Sequence, residues 1–229
     1  MQYPNKCNDK KVCFIFCTNN EQFAQECMLY LNLLQIPEGY EMEVLAIEGA
    51  SSIAAGYNEG MQASNAKYKV YIHHDTFITE PRFIEKIVDI FKQDEDIGIV
   101  GMIGTEELSK DGVMWHGQRC GDFYRLEEMM KDSLKSFERL QEGIREVEVV
   151  DGLLIATQYD IPWREDIFKG WDFYDVSQCM EFRRAGYRIV VPTQNPAWTI
   201  HACGIPSLWH YEENRQLVLR EYPEIRERK

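Results

Sequence analysis

Ala54-Ala-Gly-Tyr-Asn58-Glu-Gly60-Met-Gln-Ala63, then Ser64-Asn-Ala-Lys67, then Lys69-Val-Tyr-Ile-His73-His74-Asp75 reads as a helix, a turn and a buried strand. The strand reaches the surface in two imidazoles and a carboxylate. Small residues on the helix permit close packing against a sheet, and Asn58 offers an amide to a polar ligand. The carboxyl edge of such a sheet is where an α/β protein holds its ligand.

Outward from this stretch the chain keeps the same rhythm. Lys11 to Phe16 reads as a strand, Glu21 to Leu34 as a helix and Glu41 to Ile47 as a strand, which makes a βαβαβ unit. Downstream, Pro81 to Phe91 has apolar residues at helical spacing with Pro in its first turn, and Ile97 to Ile103 is a further buried strand. A sheet with crossover helices follows. Between Gly104 and Gly121 the pattern breaks into Gly, Ser and charge, as lids and binding loops do, and Arg125 to Arg145 reads as a charged helix or excursion. Order returns with Val147 to Ala156 as a strand, a loop from Trp163 to Gly170, a helix from Tyr174 to Ala185, a strand from Tyr187 to Val191 and an amphipathic helical tail over Pro206 to Lys229.

At 229 residues and 45% hydrophobic content the chain can bury one substantial core, so a single domain is expected over 1–229. Its net charge of −13 lacks the concentrated positive surface that a nucleic-acid backbone requires, so no nucleic-acid partner is expected. An anionic ligand must then be met by a metal ion or by local amides. Seven cysteines, with no Cys-x-x-Cys pair and several inside apolar runs, argue against a disulfide scaffold or a structural zinc site. The N-terminus has no apolar signal core, and no apolar run approaches the roughly 20 residues of a membrane span. A cytoplasmic protein is expected, with peripheral association at the inner face of the membrane left open.

The helix carrying Asn58 and Gly60, the turn and the strand ending at Asp75 resemble the family 2 glycosyltransferases, in which a strand of this layout ends in an Asp-x-Asp metal motif. His73 stands at the first Asp position and Asp75 keeps the second. A second resemblance is Gly170-Trp171-Asp172-Phe-Tyr174-Asp175, followed by Arg183 and Gly186-Tyr187. The family carries a Gly-x-Glu-Asp-like element there, at the head of a helix. Tyr174 stands at the Glu position.

The resemblance spans about Lys11 to Gly204 and implies a GT-A-like fold: a mixed, mostly parallel sheet flanked by helices. Its nucleotide-binding half would cover about 11–103 and its acceptor side about 104–204, with a C-terminal tail over 205–229. It implies transfer of a sugar from a nucleotide-diphosphate donor, with a family preference for UDP, to a carbohydrate, lipid-linked or protein acceptor, with inversion. Mn2+ or Mg2+ would be held by Asp75 and His201. Thr18, Asn19, Glu48, Asn58, His73, His74 and Asp75 would line the donor site, with Glu48 reading the base. Asp175 or Asp172 would be the catalytic base, and Trp171, Asp151 and Gly152 would meet the sugar or acceptor.

Two other readings use the same residues. The non-acidic His73 and Tyr174 suit a binding module of this fold without turnover. His73, His74, Asp75 and His201 could instead hold Zn2+ or Fe2+ in a hydrolase. Adjacent histidines on a strand face opposite ways, which counts against that last set.

Overall fold

A computed structural model describes residues 7–125, 140–202 and 208–227. Its centre is a seven-stranded sheet of order β2-β1-β3-β11-β5-β12-β9. These strands are β1 (Asn8–Thr18), β2 (Glu41–Glu48), β3 (Ala66–Ile72), β5 (Ile97–Gly101), β9 (Ile144–Val147), β11 (Leu154–Thr157) and β12 (Arg188–Pro192). β2, β1, β3, β5 and β12 run one way, and β11 and β9 run against them. Val12 to Phe16 of β1 are all buried because apolar clusters cover both faces of the sheet, which is why this strand reads as a continuous apolar run.

The helices follow from caps and faces. Helix α1 (Glu21–Asn32) begins where the Asn20 side chain accepts the Phe23 N–H, and α2 (Ile53–Ala63) where Ser52 accepts the Ala55 N–H. α3 (Phe83–Gln93) buries Phe83, Ile84, Ile87, Val88, Ile90 and Phe91 on one face. α2 lies so close to the sheet that a Cβ on Gly60 would stand 2.4 Å from Ile15 Cγ2 and one on Gly56 would stand 2.4 Å from Cys17 Sγ. Larger residues would force the helix away from β1.

Three expectations are corrected. The strand leading to His73 ends at Ile72, so residues 73–75 form a turn rather than strand. The apolar run 97–103 is split, with β5 in the main sheet and β6 (Ile103–Thr105) in a second sheet with β7 (Arg119–Gly121) and β10 (Val149–Val150). The run 147–156 is not one strand: it supplies the end of β9, then β10, a turn at Gly152–Leu153, and β11. Continuous apolar character hid these breaks, since each fragment is buried in a different place. Most of the charged excursion at 125–145 lies outside the described residues.

A third small sheet sets the site. β13 (Thr199–His201) pairs antiparallel with β4 (Thr76–Ile78), placing His201 opposite Thr76, and β8 (Tyr124–Arg125) pairs with its other edge. α4 (Tyr174–Arg184) and α5 (Tyr211–Glu221) complete the fold. The expected tail helix is thus present over its middle, followed by a short helical turn at Pro223–Ile225.

Candidate active site

The turn after β3 spreads its three polar side chains in different directions. His74 turns toward β1, where its Nδ1 lies 3.0 Å from Thr18 Oγ1 and its ring lies beside Phe23. His73 and Asp75 turn toward β13. Asp75 is held there by its backbone, whose carbonyl accepts the Ala202 N–H at 2.8 Å. His201 Nε2 then lies 3.4 Å from Asp75 Oδ1, and His73 Nδ1 lies 3.5 Å from His201 Nε2. One donor atom from each of His73, Asp75 and His201 falls within 4.8 Å of the others, which suits a single metal ion. His74 is outside that set, because the turn aims its ring at Thr18 and Phe23 instead.

Electrostatics mark this cluster. Burial alone would raise the Asp75 carboxyl, but the hydrogen bond and charge of His201, with the charges of His73 and His74, hold it down to about 2. Asp75 is therefore a carboxylate over the whole physiological range. Burial, with His201 beside it, pushes the His73 imidazole down to about 4, which keeps the ring neutral. A neutral imidazole and an ionised carboxylate are the forms that bind metals.

Three clefts run through the site in sequence. An outer one, between α1 and the ends of β1 and β2, is lined by Thr18, Asn19, Glu48 and Gly49. It shares Thr18 and Asn19 with a middle cleft of about 330 Å³ that reaches His73, His74, Asp75 and Trp171. That cleft shares His73 and Trp171 with an inner one of about 360 Å³, lined by Asp151, Gly152, Asp172, Asp175 and His201. The expected donor, metal and acceptor residues therefore fall along one track.

Asn58 is the exception. It is buried in α2, where its amide donates to the Trp163 carbonyl at 2.9 Å and accepts the Trp163 N–H at 2.8 Å. Both ends of the amide are used by a backbone 105 residues away, so Asn58 braces the wall of the site and offers nothing to a ligand.

At the inner cleft, Asp175 opens α4 and accepts the N–H groups of Gly152 at 3.1 Å and of its neighbour Val176 at 2.8 Å. Those bonds lower its pKa. Burial and the nearby Asp151 carboxylate outweigh them, bringing it up to about 7. Burial also raises Asp151 and the half-buried Asp172, whose carboxyl is hydrogen-bonded by Asn214 of α5. Asp151 accepts the Leu153 N–H at 2.8 Å, and Phe173, between the two candidate bases, takes a left-handed φ of 60°. Backbone strain of this kind is concentrated at functional sites. Trp171 stands 55% exposed over the middle and inner clefts.

Sequence reasoning missed two participants. Tyr174 contacts His73, and Trp115, from the irregular stretch after β6, lines the inner cleft. An indole in a polar, Gly-containing segment was the available signal for Trp115. The partner of Tyr174 lies 101 residues away, beyond any local pattern.

The model of a glycosyltransferase-like family matches residues 13–222. The chain belongs to that family. The enzyme has the GT-A fold and is similar to two solved structures. One is the mannosyltransferase PcManGT from Pyrobaculum calidifontis, in complex with GDP-Man and Mn2+, with a TM-score of 0.56 and 11% identity over 100% of this chain and 69% of that one. The other is S. aureus TarS 1–349, with a TM-score of 0.56 and 12% identity over 84% of this chain and 60% of that one. No curated protein matches the enzyme in sequence. Among its described residues no helix is long and apolar enough to cross a membrane.

Proposed function

We propose that the enzyme transfers a sugar from a nucleoside-diphosphate donor to an acceptor hydroxyl with inversion, assisted by a divalent metal. The observation that carries this reading is the order of the three clefts: short polar groups and Glu48, then metal-binding groups, then a carboxyl brought near neutrality.

In this reading Glu48, Thr18 and Asn19 bind the nucleoside end of the donor. Asp75 and His201 hold Mn2+ or Mg2+, and their carboxylate and imidazole donors fit such an ion. Bound there, the ion neutralises the charge that develops on the departing diphosphate. Trp171 packs against the apolar face of a sugar ring, and Asp151 and Gly152 border the acceptor. Asp175 takes the acceptor's proton as the acceptor oxygen bonds to the anomeric carbon. The bond from that carbon to the diphosphate oxygen breaks, and its electron pair leaves with the diphosphate. A base poised at about 7 titrates near neutral pH and is strong enough to draw the proton. Asp172 is the alternative base.

Calorimetric titration with UDP, GDP and dTDP, each with and without Mn2+, tests the donor half of the proposal. The expected result is metal-dependent binding of one nucleotide, UDP first by family preference, and loss of the metal-dependent increment in Asp75→Asn. No binding of any nucleotide in either condition counts against a transferase role. Binding without transfer or donor hydrolysis would indicate a module that kept the fold and lost turnover.

A further inference from the structure

The two positions at which this chain departs from the acidic pattern of its family touch each other. The Tyr174 hydroxyl meets His73 Nε2 directly. Room for that meeting is made by Gly152, because a Cβ there would stand 2.1 Å from the Tyr174 hydroxyl oxygen. The phenol ring is fixed from behind, edge-on to Tyr57 and beside Trp163. His73 is thus held by its Nε2 end, and its Nδ1 faces the gap between His201 and Asp75, at 3.5 Å from the one and 4.0 Å from the other.

The geometry points to His73 as a third metal ligand through Nδ1, with Tyr174 as the positioning residue that accepts its Nε2–H, and to a site that selects Mn2+ over Mg2+. This rests on the metal-assisted reading above and deepens it. An imidazole can coordinate only through an unprotonated nitrogen, so a hydroxyl oxygen accepting the proton at Nε2 leaves the Nδ1 lone pair directed at the ion. A donor set of two imidazole nitrogens and one carboxylate carries one negative charge. Mg2+ favours hard oxygen donors and holds its waters tightly, whereas imidazole suits transition metals. His73 therefore brings nitrogen where a carboxylate would bring oxygen and charge, and Tyr174 orients it.

The test is calorimetric titration of the full chain with Mn2+ and with Mg2+, without nucleotide, together with pulsed EPR of the Mn2+-loaded protein. Mn2+ is expected to bind at least about tenfold more tightly than Mg2+, with nitrogen couplings from two imidazoles. His73→Ala should leave one imidazole coupling. Tyr174→Phe should keep its unfolding midpoint within a few degrees and lose about tenfold in Mn2+ affinity. Gly152→Ala, which displaces the phenol without altering it, should reproduce that loss. Equal affinity for the two ions, a single nitrogen coupling in the unmodified protein, or full Mn2+ affinity in Tyr174→Phe would each overturn the assignment. Failure of every nucleotide to bind would sink the transferase reading while leaving these metal measurements intact.

Discussion

Asp175 ties activity to stability with opposite signs. Its pKa lies near 7 in the folded protein against an ordinary value of 3.8, so ionising it costs the folded state free energy. The stability associated with this carboxyl is complete below about pH 4 and is lost as pH rises through about 7. If the ionised form is the base, kcat/KM rises over the window in which stability falls. Asp175→Asn should remove the rising limb near pH 7 and lower kcat by about 10²–10⁴-fold. The same variant should be more stable than the parent at pH 8 by on the order of 1–2 kcal/mol, read from denaturant unfolding. Full transfer rate in that variant would move the base to Asp172. Asp75 behaves the other way: its contribution is present above about pH 4 and lost as pH falls toward 2. Asp75, His201 and Asp175 were candidates by residue type and motif alone, and the fold brings them to adjoining clefts. What escaped was the meeting of His73 with Tyr174, because that contact is made by tertiary packing between a strand end and a helix head.

At the scale of elements, α2 is held to the sheet by the close fit at Gly56 and Gly60 and to the segment before α4 by Asn58. The sequence showed α2 as a helix with small residues, and that reading of its packing holds. It also suggested that Asn58 faces a ligand, but an amide can satisfy a backbone peptide as well as a ligand, and no local pattern distinguishes them. Asn58→Ala leaves the buried Trp163 N–H without its partner and its carbonyl with the Glu165 N–H alone, an expected loss of about 1–3 kcal/mol in denaturant unfolding. Nucleotide affinity measured well below the unfolding midpoint should change less than threefold. A large loss of nucleotide affinity with little loss of stability would restore Asn58 to the ligand. The strand breaks near Met102 and Asp151 were hidden for a related reason. Both lie in runs that stay buried while changing sheets, and burial rather than pairing is what an apolar run reports.

Across the whole molecule, α5 braces the inner cleft and not the outer one. Tyr211 of α5 packs on Phe173 with ring centroids 4.8 Å apart, Glu221 binds Arg164 at 2.8 Å, and the buried Tyr222 hydroxyl lies 2.7 Å from that of Ser177 in α4. Thr18, Asn19 and Glu48 are supported from elsewhere, by β1, β2 and α1. Deleting residues from 208 onward should therefore lower the transfer rate at least about tenfold while leaving nucleotide affinity within a few-fold. An equal loss of both, by titration and a donor-turnover assay, would show that the tail supports the entire fold.

The placement of β11 has a further consequence, for the chain as it is made. β3 and β5 are neighbours in sequence order along the sheet but share no hydrogen bonds, because β11 fills the place between them. A nascent chain ending before residue 154 therefore carries two open strand edges with buried-type residues such as Ile72, Ile99 and Val100 beside them. Open edges of that kind invite pairing with other chains, and closure over so long a sequence separation is slow. A molecule can close those two edges only once β11 has been made and has reached its place between them.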